Sequence, residues 1–152
     1  AMGLVTEPGS YSIGRVDALL SNYNDYTLAC ASFGPIEKST VLQSAALRSK
    51  VNEYGRETMR KVLKDRTPES LLGSSRSFAE LTGIATPRLL KISDKAIEFG
   101  AVGATQNMIG NAIHCLVEKK RRKKFLDSFL KLIPRESLFE SELCHSGPTF
   151  LD

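Results

Sequence analysis

Two rhythms of apolar positions alternate along this chain. Residues 26–33, Y-T-L-A-C-A-S-F, are short and sheet-compatible and are closed by Gly34-Pro35, which predicts a buried strand. From about Ser39 the period lengthens. Leu47, Val51, Tyr54, Thr58 and Val62 fall at spacings of four and three, one face of a helix that ends in K-D-R ahead of Thr67-Pro68. Thr67-Pro68-Glu69 and Thr86-Pro87 each place an N-cap hydroxyl before a proline at the first helical position. The first of these helices carries Leu71, Leu72, Ser75, Phe78, Ala79 and Thr82 and stops at Gly83. The second carries Leu89, Leu90, Ala96 and Ile97 and stops at Gly100.

The short rhythm then returns. Residues 112–117 are apolar and read as a strand, and Gly110-Asn111 ahead of them is a hairpin signal. Leu126, Phe129, Leu130 and Ile133 make the stripe of a last helix, with Asp127 and Lys131 spaced to pair and Pro134 beyond its end. Residues 137–143 alternate Leu138, Glu140 and Glu142 against Phe139, Ser141 and Leu143, as a half-exposed strand does. The order strand, three helices, two strands, helix, strand predicts an α+β sandwich of ferredoxin-like type with extra helices on one face.

The first 24 residues fit this order poorly. Ala1-Met2 resembles a vector-derived remnant. Residues 3–13 read as the end of a strand and a turn with little ahead of it to pair with, and 21–25 as a polar linker. The expectation is a trailing segment of a preceding domain over 1–24 and a single domain over 25–152.

Composition changes little. A chain of 152 residues with 41% hydrophobic and 25% charged content can bury a core of its own. No apolar run approaches a membrane span and no secretory signal stands out, so a cytoplasmic protein is expected. Cys30, Cys115 and Cys144 are odd in number and widely spaced, which suggests neither a zinc site nor a disulfide framework. Net charge is +4, but K-K-R-R-K-K at 119–124 carries +6 by itself, leaving −2 for the rest. Such a patch can meet nucleic acid or an anionic substrate. No aromatic residues interleave it for base stacking, and a solvated helix start is the plainer reading.

Candidate chemistry concentrates in 100–114, G-A-V-G-A-T-Q-N-M-I-G-N-A-I-H. Its glycines and small residues let a ligand approach the backbone, and Thr105, Gln106, Asn107 and Asn111 supply hydrogen-bonding groups without fixed charge. Locally, a plain β-hairpin explains it as well. Residues 34–42, G-P-I-E-K-S-T-V-L, lead into the first helix, where Ser39 and Thr40 can cap it or its N-terminus can hold an anion beside Lys38. Residues 72–79, L-G-S-S-R-S-F-A, imitate a phosphate loop but lack its glycines and sit inside a well-capped helix. His114 lies among apolar strand neighbours and His145 follows Cys144. Adjacent strand residues point to opposite faces, so both histidines read as structural. No carboxylate pair, Walker motif or G-x-G-x-x-G occurs.

G-P-I-E-K-S-T-V-L after a strand and, some sixty residues later, A-T-Q-N-M-I-G-N-A-I-H together resemble the C-terminal half of archaeal pantoate kinases, members of the GHMP kinase superfamily. S-F-A-E-L-T-G-I, I-G-R-V-D near the start and the closing G-P-T-F-L agree with that resemblance, which covers nearly the whole chain. The resemblance implies ATP-dependent phosphorylation of pantoate to 4-phosphopantoate on an archaeal route to coenzyme A. It implies a ferredoxin-like C-terminal domain of GHMP kinase type, preceded by a domain that holds the main phosphate loop and the metal and catalytic residues. Gly103, Thr105, Gln106, Asn107, Gly110 and Asn111 then stand in the superfamily's third, phosphate-side loop, and Ser39 and Thr40 meet the pantoate carboxylate or hydroxyls. Lys38 occupies a place where the family run carries threonine.

ATP and Mg2+ are accordingly expected with the full-length enzyme and not with these residues alone, which are expected to be inactive. No catalytic or metal residue can be assigned within them. A homodimer is compatible with this reading; a nucleic-acid or membrane partner is not expected. The alternatives are another GHMP-type small-molecule kinase domain, a non-catalytic ferredoxin-like binding module using 119–124, or a dimerisation or regulatory domain that has lost catalysis.

Overall fold

The computed structural model describes residues 3–7, 15–18, 23–35, 44–108 and 110–143. Strands β1 (Gly3–Glu7) and β2 (Arg15–Ala18) form a separate antiparallel pair, with Gly3 opposite Ala18 and Val5 opposite Val16. The opening segment therefore does find a partner, in residues just downstream. The expected linker at 21–25 includes a short 3-10 turn, Tyr23–Asp25.

The main sheet is built from β3 (Tyr26–Ser32), β4 (Gly103–Gln106), β5 (Ala112–Glu118) and β6 (Leu138–Glu142). They lie in the spatial order β4-β5-β3-β6, every neighbouring pair antiparallel. That is the ferredoxin-like order, and the mixed α/β architecture expected from the pattern is the one observed. Between β3 and β4 come α1 (Ala45–Lys64), α2 (Pro68–Thr82) and α3 (Pro87–Glu98); α4 (Arg122–Phe129) joins β5 to β6.

Alternation in the strands sorts side chains onto two faces. Ala29 and Ala31 of β3, Ala104 of β4, and Ile113, Cys115 and Val117 of β5 form one face. It packs against Leu89, Ile92 and Ala96 of α3 and Phe125, Leu126 and Phe129 of α4. Phe125 and Phe129 stack with centroids 5.0 Å apart. The sheet contributes mostly small residues here and the helices the large ones, so α3 and α4 can sit close to the backbone.

The helix starts are built as the sequence predicts. Thr67 Oγ1 accepts from Ser70 N–H at 3.2 Å and Thr86 Oγ1 from Leu89 N–H at 3.3 Å, with proline next in both cases. Gly83 closes α2 with φ +73, a left-handed conformation that costs a residue with Cβ about 1–2 kcal/mol. The phosphate-loop imitation at 72–79 is interior to α2.

Three expectations need correction. The helix anticipated from about Ser39 begins at Ala45, because Ser44 is extended and its Oγ accepts Leu47 N–H; Ser39 and Thr40 lie outside the described residues. The buried face of α3 is Leu89, Ile92, Ser93 and Ala96, whereas Ile97 is 45% exposed. The last helix ends at Phe129, so Lys131 lies beyond it and no Asp127–Lys131 ion pair forms; Ile133 is buried from the turn that follows.

Candidate functional site

The face of the sheet away from α3 and α4 carries the site. Register places Thr105 of β4 opposite His114 of β5, His114 opposite Cys30 of β3, and Cys30 opposite Phe139 of β6. Exposure along this row runs from 2% at Thr105 to 61% at Phe139. The gradient has a physical cause: α2 covers the β4 end. A Cβ on Gly103 would lie 2.6 Å from Leu72 Cβ, so only glycine lets α2 come this near to the strand.

α1 packs on α2, and the two helices with the β4–β5 hairpin enclose a cavity of about 510 Å³. Leu47 and Val51 of α1, Phe78 of α2 and Ile84 form apolar walls. Thr105, Gln106 and His114 face it from the sheet, and Asn107 and Met108 from the hairpin.

The hairpin uses its polar residues in a particular way. Gln106 donates its side-chain amide N–H to Gly110 O at 2.8 Å, and Asn107 N–H donates to Ala112 O at 2.9 Å, which pins the turn from inside. A Cβ on Gly110 would meet Asn107 O at 2.8 Å, so the turn needs glycine there. Asn111 braces the hairpin to the end of β3: its Nδ2 donates to Phe33 O at 2.8 Å, and its own carbonyl accepts Phe33 N–H at 2.8 Å. Met108 holds φ +49 and is 84% exposed.

The six loop residues singled out in the sequence are thus brought together, but with divided roles. Gly103 and Gly110 serve close packing and the turn, and Asn111 is a brace. Asn107 is the one of the six that is exposed at the tip. Thr105 and Gln106 are buried, and Thr105 Oγ1 and Gln106 Oε1 have no hydrogen-bond partner. A buried oxygen left unpaired costs about 1–3 kcal/mol; Thr105 lies on the cavity face of the sheet, while Gln106, next to it, is paired with core residue Ile113.

Sequence reasoning read His114 as structural, yet it lines the cavity. Burial holds its imidazole below the ordinary histidine range, which keeps it neutral at pH 7. The i, i+2 relation of His114 to Ala112 and Leu116 only says which face it takes; that α1 and α2 roof that face is a tertiary fact. His145 and Cys144 lie outside the described residues. Burial raises the Cys30 thiol and pushes Cys115 far above the usual thiol range, so neither is poised as a nucleophile.

Elsewhere, the basic run is exposed at the start of α4 as expected, but it is not bare. Arg122 pairs with Glu140 at 2.7 Å, Lys119 with Glu142 at 3.4 Å, and Lys120 and Arg121 both reach Glu118. For Lys123 and Lys124 no acidic partner is present among the described residues. Nor, among those residues, do three His, Cys, Asp or Glu side chains come together to hold a metal ion. No helix among them is long and apolar enough to cross a membrane.

No family model matches the chain. It is 32% identical over 97 residues to the pantoate kinase of Methanocaldococcus jannaschii, an alignment covering 64% of this chain and 35% of the relative. Against the pantoate kinase of Thermococcus kodakarensis it is 25% identical over 118 residues, 78% of this chain and 38% of the relative. The chain therefore spans little more than a third of the length of these relatives. Among solved structures, a phosphotransferase related to the CoA biosynthesis pathway superposes with TM-score 0.73 at 22% identity, over 91% of this chain and 43% of the other. Mevalonate kinase of L. major, solved with R-mevalonate, gives 0.55 at 13% identity, over 85% and 44%. In sequence the chain is similar to pantoate kinases, and its fold is that of a GHMP-type kinase domain.

Proposed function

We propose that this chain is the C-terminal part of a kinase that transfers the γ-phosphoryl group of ATP to pantoate, on a route to coenzyme A. The observation that carries the reading is the β4–β5 hairpin, which lies in a chain similar to pantoate kinases and is braced so that its tip is presented outward. Phosphoryl transfer asks little covalent chemistry of a protein; it asks for positioning and for donors at the transferred group. The Asn107 side chain, exposed at the tip, is the group of this hairpin suited to that task. Gly110 and Asn111 hold the tip in place through the contacts described above. Gln106 and Thr105 are buried behind it. ATP and Mg2+ supply the phosphoryl group and its charge neutralisation, and residues outside this chain hold them. Ser39 and Thr40 are assigned to the pantoate side on the family pattern alone.

The test is kinetic. In the full-length enzyme, Asn107→Ala should lower kcat/KM for pantoate by about 10- to 100-fold with an unchanged thermal midpoint. The 152 residues by themselves should turn over no ATP with pantoate. Unaltered kinetics in the variant, or turnover by the 152 residues, would remove the reading.

A further inference from the structure

The β4–β5 hairpin is held from outside as well as from within. Its outer tie is Phe33, whose N–H donates to Asn111 O and whose carbonyl accepts from Asn111 Nδ2, both at 2.8 Å. Phe33 directly follows the last residue of β3, and beyond it Gly34 turns away with φ +96. The Phe33 ring is half-buried against the core. The guanidinium carbon of Arg88 lies 4.7 Å from the centre of that ring. A cation within about 6 Å of a ring centroid is attracted to the π face. Arg88 is badly placed for any local purpose. It is the second residue of α3, in the turn where the helix dipole favours acids and opposes a cation. No acidic residue stands in that turn to offset it, and no carboxylate pairs with Arg88 among the described residues. The side chain is exposed, so burial does not hold it either. By contrast, Arg76 reaches Glu80 and Asp94, and Arg122 reaches Glu140. For Arg88 the ring of Phe33 takes the place of a carboxylate.

We propose that Arg88 is a positioning residue for the hairpin. Its guanidinium clamps the Phe33 ring, and the Phe33 backbone in turn holds Asn111 and with it the turn that carries Asn107. The clamp joins three segments far apart in sequence: the end of β3, the start of α3 and the β4–β5 turn. The mechanical coupling is a property of these residues alone; its kinetic consequence rests on the proposed function. Where a braced tip meets the transferred phosphoryl group, loosening the brace removes an interaction made in the transition state. Such a loss lowers kcat and kcat/KM together and leaves KM for ATP and pantoate unchanged.

The experiment has two arms. In the 152-residue chain, amide hydrogen exchange is followed by NMR at Phe33 and along α3. Arg88→Met keeps a stem and drops the charge. It should lower the protection of Phe33 N–H about two- to fivefold, the equivalent of one exposed cation–π contact. The amides of α3 should stay as protected as in the parent or become more so, because a charge opposed by the helix dipole is gone. Arg88→Lys keeps a cation over the ring and should hold Phe33 protection within about twofold of the parent. Phe33→Leu removes the ring, and adding Arg88→Met to it should change nothing further at residue 33. In the full-length enzyme, Arg88→Met should lower kcat and kcat/KM alike, about two- to fivefold, and Arg88→Lys should restore both. Unchanged protection of Phe33 N–H in Arg88→Met, an equal loss in Arg88→Lys, or a further loss in the double variant would overturn the clamp. So would lost protection with unchanged kcat in an enzyme that phosphorylates pantoate. A full-length protein without kinase activity would remove the proposed reaction, and the exchange arm would then decide the clamp by itself.

Discussion

Thr105 and His114 stand opposite one another across β4 and β5, on the face of the sheet that α1 and α2 roof. Thr105 is 2% exposed with its hydroxyl unpaired, and His114 is half-buried and held neutral by desolvation. Two polar groups in such surroundings are costly to maintain. Both would be cheaper as valine, the residue that suits a strand beside an apolar cavity.

The His114 imidazole makes stability depend on pH with a definite sign. Its folded pKa lies below the unfolded value of 6.5, so below that pH the unfolded chain binds the extra proton first. Stability should be level above pH about 7, fall as pH drops through 6.5, and level again once the folded group also titrates. His114→Gln should flatten that descent. The measurement is urea unfolding between pH 5 and 8; an identical slope in the variant contradicts the assignment.

Gly103→Ala should be destabilising by about 1–3 kcal/mol, since the new methyl would sit 2.6 Å from Leu72 Cβ and 2.9 Å from Leu72 Cδ1. Leu72→Ala destabilises for the opposite reason, by leaving a cavity. In the double variant the Cδ1 contact is gone, but alanine keeps Leu72 Cβ and with it the 2.6 Å contact. The relief is therefore partial, and the loss should fall short of the sum of the single losses by less than about 1 kcal/mol. A double variant as stable in chemical unfolding as Leu72→Ala alone would mean that α2 does not depend on Gly103 for its approach.

What the sequence makes legible follows from how local the cause is. The two Thr-Pro helix starts and the Gly83 stop are written in four or five neighbouring residues and are found where the pattern predicts. The hairpin expected to turn at Gly110-Asn111 instead has a longer loop, 107–111, closed by Asn107 N–H on Ala112 O. The α3 face is read less well: Ile97 is apolar but turns outward, and Ser93 is polar but buried, because the partner surface decides and it is not local. The site divides the same way. Residues 103–111 announce themselves by composition, yet nothing near Gln106 says that its N–H is spent on Gly110 and its carbonyl left over. That Leu47 and Val51, more than fifty residues earlier, share its cavity is set only when α1 and α2 dock.

Asn111 ties the hairpin to the end of β3 by two 2.8 Å hydrogen bonds, one through its side chain and one through its carbonyl. Asn111→Ala removes the first and should cost about 1 kcal/mol, a fall in Tm of about 2–4 °C. Asn111→Asp should cost more, because a carboxylate would face Phe33 O with no donor. If the aspartate variant is as stable as the alanine one, the side chain does not point at that carbonyl.

Met108 is exposed, so a change there tests the backbone more than the packing. Its φ of +49 is a left-handed conformation, which costs a residue with Cβ about 1–2 kcal/mol. Glycine adopts it freely but brings back about 0.5–1 kcal/mol of backbone entropy. Met108→Gly should therefore raise stability slightly, by up to about 1 kcal/mol, in a position that is 84% exposed and so gives up little packing. The variant should be at least as stable as the parent in thermal unfolding, and lower stability would show that the conformation is not strained.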